Sequence, residues 1–420
     1  MKKFTILLAW LFCLLPDSSA QGTWTHFTKD EGLTSIWVQS IVEDPQGNVW
    51  FGTYKGLNKY DGSTLESFTK KDGLPDDNIQ VLAVDAQGMV WIGTKKGLCM
   101  CDGNRIIPYA KKHALSENKI TQIFKDDSGH LWIGGEFSNK YGFLYEYDGD
   151  SLISFNKVAG NDMKPVHKIA QGNQGEIWVF TKGKKDDFIF RYMDHAWVAY
   201  GSGPGLPVSN YKSLREIDEV LFDQGGDVWC ASCERSIDGK ITGHGCLMRF
   251  DGEQWKTYSN KDGYQTGFGI SSLAEDKDGN IWVGNNKGAS RFDGSQWTNY
   301  TKQSQIPVFF VISMVKDKQE NLWLGTAFGV LCNDGSDWIE FDKDLITGRA
   351  IQKVFADSRD HIWIGAGDGL SEGGVAMYDG EKWDCYTARD VFGPFAFDFF
   401  EDSGGNVWAI TKSGISKYQY

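Results

Sequence analysis

Glu43-Asp44-Pro45-Gln46-Gly47-Asn48-Val49-Trp50-Phe51-Gly52-Thr53, followed by Lys55-Gly56-Leu57 and Tyr60-Asp61-Gly62, is the phrase from which the fold can be read. Trp50 is its anchor. The phrase returns at Trp91, Trp132, Trp178, Trp229, Trp282, Trp323, Trp363 and Trp408, in steps of 41, 41, 46, 51, 53, 41, 40 and 45 residues. A period of this size marks a propeller or a solenoid. Val38 to Val42 alternates as a strand, and Asp44-Pro45-Gln46-Gly47-Asn48 is a turn. Val49 to Thr53, Leu57 to Tyr60 and Thr64 to Thr69 complete four strands, with Lys55-Gly56 and Asp61-Gly62 as the turns between them. Four short antiparallel strands per repeat make one propeller blade. No window carries the 3.6-residue period that helical solenoids require.

The ends of the chain predict a closed array. Trp24-Thr25-His26-Phe27 matches a fourth strand, and Gly414 to Tyr418 stops at a third. The N-terminal strand is therefore expected to complete the last blade, which removes two free sheet edges. The expected fold is all-β, a single propeller of nine four-stranded blades, with eight as the alternative. The anchors are expected to fill the wedge between neighbouring blades, each N–H reaching a turn carbonyl.

The 420 residues include 50 glycines and only 9 prolines, and 14% are aromatic, the balance of many short strands joined by tight turns. A formal net charge of −13 argues against nucleic acid as a partner. Residues 1–20 have the form of a signal peptide. Lys2 and Lys3 precede an apolar run from Phe4 to Leu15, then Pro16-Asp17-Ser18-Ser19-Ala20 offers a cleavage site. That run is short for a membrane span, so residues 21–420 are expected to be one exported, non-spanning propeller domain in the periplasm or outside the cell. No cofactor is expected.

The phrase resembles the two-component regulator propeller repeat, known from periplasmic sensor regions of bacterial hybrid histidine kinases. The likeness is close at Trp50, Trp91, Trp282 and Trp323, and weaker at Trp178, where Gly172-Asn173 replaces the acidic position. The resemblance implies a propeller that binds, in many relatives polysaccharide fragments. Those sensors usually add a second propeller, an immunoglobulin-like domain, a membrane span and a kinase, and this sequence shows one propeller. The phrase also differs from the sialidase Asp-box, since Asp44 stands six residues before Trp50 rather than five.

Propellers bind at the channel mouth, at the loops entering first strands and those between second and third strands. The position thirteen before each anchor, with its neighbour, falls there. Trp37, Phe268, Phe309 and Phe310 suit stacking on a sugar, and Phe395 is a ligand-binding candidate by the same position. Asp77, Asn78, Asn118, Lys119, Arg215 and Arg349 suit contacts to hydroxyl or carboxylate groups. The second-to-third-strand loops lengthen at Glu136 to Tyr141, Lys182 to Asp187, Glu234 to Gly245 and Gly367 to Gly373. Packing of the channel and a solvated rim would explain the same residues.

Seven cysteines follow the signal segment, an odd number that does not suit a disulfide framework. Cys230, Cys233, His244 and Cys246 are the residue types of a metal set. An offset of three along a strand points Cys230 and Cys233 to opposite faces, so a disulfide from Cys246 to one of them is preferred over a metal. Catalysis has little support; His167 with Glu216 is the one pair placed for it. The leading expectation is a binding protein that recognises a glycan or a protein. The alternatives are a propeller-type polysaccharide lyase or glycosidase, and an interaction scaffold.

Overall fold

The structure is a computed structural model that describes residues 22–420 apart from 110–112, 139–140, 159, 183–188, 202–216, 233–245, 268, 302–303, 305–309, 343–349, 368–372, 388–389, 392 and 394–395. It contains nine four-stranded antiparallel sheets, one per anchor, so all nine repeats form blades and the eight-blade alternative falls. The fold is an all-β propeller. Gly32–Asp262 with Thr266–Ile270 makes one compact unit of five blades. The residues up to Glu31, Gly263–Gln265 and Ser271–Tyr420 make a second, which carries four.

The first blade shows how the phrase becomes a sheet. Strands β2 (Val38–Glu43), β3 (Val49–Thr53), β4 (Gly56–Tyr60) and β5 (Leu65–Phe68) pair in sequence order. Between β2 and β3, Asp44 Oδ1 accepts the backbone N–H groups of Gln46 and Asn48, both at 3.0 Å, and so holds the turn. Asp44 Oδ2 then accepts the indole N–H of Trp50 at 2.8 Å. The anchor's partner is thus a buried carboxylate rather than the expected turn carbonyl. The reason is chemical: that carboxylate has a lone pair left over from the turn, and a hydrogen bond to a charged acceptor is about twice as strong as a neutral one. Eight anchors repeat the arrangement with an aspartate six residues earlier, at 2.7 to 2.9 Å.

The anchors are all buried. Trp50 packs in one cluster with Leu57 of its own blade and with Ile79, Leu82, Val90 and Ile92 of the next blade, and it stacks on Phe68. Burial at this depth rules out a ring of sugar-stacking anchors. Full burial of such a side chain contributes on the order of 3 kcal/mol by area, before packing is counted.

Neighbouring blades are also joined by polar contacts. The innermost strands carry a bulge at their second residue, seen at Val38/Ser40, Ile79/Val81, Val311/Ser313 and Ile351/Lys353 among others. Serines on three of these strands reach the next blade. Ser40 Oγ accepts the Leu82 N–H at 3.1 Å, Ser272 Oγ that of Met314 and Ser313 Oγ that of Val354, both at 3.2 Å.

The last blade closes as expected. Strand β1 (Thr23–Phe27) pairs with Ile415–Gln419, from Thr23 opposite Gln419 to Phe27 opposite Ile415. Phe27 stacks on Trp408, taking the place Phe68 has against Trp50. Two additions were not legible in the sequence. A five-residue helix, His113–Glu117, leads into the third blade, and a two-stranded ribbon pairs Lys157–Val158 with Asn161–Asp162.

Candidate functional site

Antiparallel pairing brings the start of each first strand to the end of its second. The position thirteen before the anchor therefore meets the position four after it. In the five-blade unit the Trp37 carbonyl accepts the Tyr54 N–H at 3.2 Å. The Asn78 carbonyl accepts that of Lys95, and the Pro165 carbonyl that of Lys182, both at 2.9 Å. In the four-blade unit the Phe310 carbonyl accepts the Ala327 N–H at 3.3 Å, and the Ala350 carbonyl that of Gly367 at 2.9 Å. Both sets of expected loops thus lie at one end of the blade.

The turn after the second strand is built to present side chains. Thr53 Oγ1 donates to the Gly56 carbonyl at 2.9 Å and accepts the Lys55 N–H at 3.1 Å. Thr94 repeats both bonds with Gly97 and Lys96. Gly56 sits at φ +145°, where a Cβ would stand 2.7 Å from the Phe68 carbonyl oxygen, so only glycine fits. With the threonine and glycine committed inward, the two residues between them project outward.

The side chains that result include exposed aromatics in each unit. Trp37 and Tyr54 are 49% and 43% exposed, and Phe310 and Phe328 are 47% and 56% exposed. Phe310 reaches its position at φ +35°, which a bulky side chain rarely adopts. Phe137 and Tyr141 are exposed as well, on the lengthened loop after Trp132, where the Phe137 N–H donates to the Tyr141 carbonyl at 2.9 Å.

Several residues expected to contact a ligand have structural partners. Asp77 Oδ1 accepts the Lys70 N–H at 2.6 Å and holds the short turn Lys70–Asp72 in place. Asn78 accepts a hydrogen bond from the Gln80 side chain through its Oδ1. Lys119 Nζ lies 3.2 Å from Glu136 Oε1. Asn118 is half-buried. His167 is half-buried inside the bulge between Val166 and Lys168. Arg215, Glu216, Phe268, Phe309, Arg349 and Phe395 lie outside the described residues.

The cysteine set separates in the same way. Cys233 and His244 lie outside the described residues. Cys230 opposes Met248, whereas Cys246 opposes Ser232. Cys230 is a buried thiol, not joined to Cys246, and burial pushes its ionisation well above the usual range. Among the described residues no group of three or more His, Cys, Asp or Glu is placed to hold a metal.

Sequence reasoning missed Tyr54, Phe328, Lys55, Lys95 and Lys96. It used loop length to find binding loops, and these stand in two-residue turns. Their signal is composition: large or charged residues at positions four and five after an anchor, framed by Thr and Gly.

The two component regulator propeller family matches at residues 32–55, 73–96, 114–137 and 266–287. The chain carries two-component regulator propeller repeats. Three of the four matches in this propeller-repeat chain run from the loop entering a first strand to the end of the second, which is the segment holding the carboxylate, the anchor and the first-strand bulge. No curated protein sequence matches it. Solved structures of similar fold include the extracellular domain assigned to a hybrid two-component system of B. thetaiotaomicron, at 16% identity over 93% of this chain and 57% of that one, with a TM-score of 0.42. The propeller-repeat chain thus spans little more than half of that structure's length. PorZ of Porphyromonas gingivalis is 14% identical over 91% of this chain and 68% of its own, with a TM-score of 0.44. Streptogramin B lyase is 11% identical over 95% and 98%, with a TM-score of 0.42. These are likenesses of fold. Among the described residues no helix is long and apolar enough to cross a membrane.

Proposed function

We propose that this chain is an exported binding propeller that recognises a glycan at the blade ends where first strands begin. One observation carries the reading: Trp37 with Tyr54, and Phe310 with Phe328, project exposed aromatic faces from turns locked by the same backbone hydrogen bond. Aromatic faces held at low entropic cost suit the C–H face of a pyranose, and the surrounding amides and hydroxyls suit its rim. The occurrence of this repeat in sensor regions supports binding over catalysis, and the basic-then-apolar segment before Ala20 supports export.

Calorimetric titration against a panel of oligosaccharides tests the reading. At least one member should bind, and Trp37→Ala or Phe328→Ala should weaken it without lowering the unfolding midpoint. A panel with no response, or variants that bind as wild type does, would overturn it.

A further inference from the structure

We propose that the Trp37/Tyr54 end of the first two blades takes an acidic saccharide, with its carboxylate or sulfate groups on Lys55, Lys95 and Lys96. This rests on the binding reading above and adds the ligand's charge.

The three lysines are exposed, and none is in an ion pair among the described residues. That contrasts with Lys119, Lys316 and Lys353, each beside a carboxylate. They also converge. A Cβ at Gly52 would stand 2.6 Å from Ile79 Cγ2, so the end of β3 abuts the start of the next blade's first strand, Ile79–Val84. Tyr54 and Lys55 follow Gly52 by two and three residues. Asn78 precedes Ile79, and its carbonyl holds the Lys95 N–H. The Ser40 to Leu82 hydrogen bond fixes the two blades at this junction. The turns that carry the aromatic residues and the lysines thus lie at adjoining blade ends.

The nearby carboxylates of Asp76 and Asp77 hold their own loop and keep their charge, which leaves three ammonium groups against two carboxylates. Asp76 accepts the Asn78 N–H at 3.0 Å and Asp77 the Lys70 N–H at 2.6 Å. In a chain of net charge −13, an edge with this small positive excess is one that an anion can approach. The Phe310/Phe328 pair has Ala327 where the second blade has Lys95, so it lacks this charge. Stacking alone would suit neutral sugars; stacking beside three ammonium groups selects uronate or sulfated ones.

The test is calorimetry on the full chain with three probes: a galacturonate oligomer, a sulfated chondroitin oligomer and a neutral cello-oligomer, each at low and high salt. The acidic probes should bind more tightly than the neutral one and lose affinity as salt rises. The triple variant Lys55→Ala, Lys95→Ala, Lys96→Ala should lower acidic affinity by roughly tenfold and leave the neutral probe unchanged. Tyr54→Ala should weaken every probe that binds. Binding of the galacturonate oligomer shows that carboxylates suffice, because the chondroitin oligomer carries uronate carboxylates as well as sulfate esters. Salt-independent binding with the neutral probe equal to the acidic ones would overturn the inference and leave the binding reading standing. No binding of any saccharide would overturn both. A triple variant with unchanged acidic affinity, its circular dichroism matching wild type, would overturn the lysine assignment alone.

Discussion

The Trp178 indole N–H donates to Glu176 Oε1 at 3.1 Å, two residues away instead of six. At the position six residues before Trp178 stands Gly172, and a Cβ there would fall 2.2 Å from the same oxygen. The glutamate also accepts the Gln174 N–H through Oε2, as Asp44 accepts that of Gln46. One carboxylate has moved along the chain, and its hydrogen bonds have gone with it.

A swap follows from that geometry. Glu176→Ala should destabilise by about 2 kcal/mol, because it strands a buried N–H. Gly172→Asp alone should also destabilise, since two carboxylates would compete for one space. The double variant should recover to within about 1 kcal/mol of wild type, a non-additivity that urea unfolding of all four proteins would measure.

Asp357 makes an acid-sensitive link. Burial alone would raise its ionisation, but hydrogen bonds from His361, Tyr420 and Trp363 outweigh it and hold the carboxyl well below its usual range. A depressed folded-state value stabilises fully above the unfolded value near about 3.9, and that stability is lost as pH falls toward the folded value. The stability gap between wild type and Asp357→Asn should therefore narrow below about pH 4, by about 1.4 kcal/mol per unit. Urea midpoints at neutral pH and at two pH values below the unfolded one would register it, and a gap that stays constant would contradict it.

The serine bridges between blades should be visible one amide at a time. Ser313→Ala removes the acceptor of the buried Val354 N–H, at a cost of about 1 to 2 kcal/mol. Hydrogen exchange at Val354 should accelerate more than at the neighbouring strand amides. Uniform acceleration would mean the bond matters only through global stability.

Phe310 should trade stability against binding. Its backbone lies in a region that costs a bulky residue about 1 to 2 kcal/mol and glycine little. Phe310→Gly should therefore unfold at equal or higher urea concentration while binding saccharide less well. Lower stability with unchanged binding would show that the side chain serves packing instead.

The blades were legible because most repeat one chemical sentence: a turn aspartate, a positive-φ residue that is usually glycine, and a tryptophan at fixed spacing. Strand boundaries followed, as did closure by Trp24 to Phe27. Glu176 was not legible, since nothing in its position distinguishes it until the indole is seen to need an acceptor. The helix His113–Glu117 is too short to carry a period. At the candidate site, Trp37 stood out by its offset from the anchor. Tyr54 and the three lysines did not, because a two-residue turn reads as punctuation until its threonine and glycine are seen facing inward. Asp77 has a second role that its position did not announce: its carboxylate holds a loop.

Strand β1 and its partner strand meet across 396 residues of chain, measured from Gly22 to Tyr418. Every other strand pair in the blades joins sequence neighbours. Closing so long a loop costs about 3 kcal/mol more than closing a hairpin of about ten residues. Eight sheets can therefore assemble from local sequence as the chain emerges, whereas the ninth waits for both ends. The seam is the last part to form and the first to open, and a pull on the N-terminus would peel β1 from the last blade before disturbing the other eight.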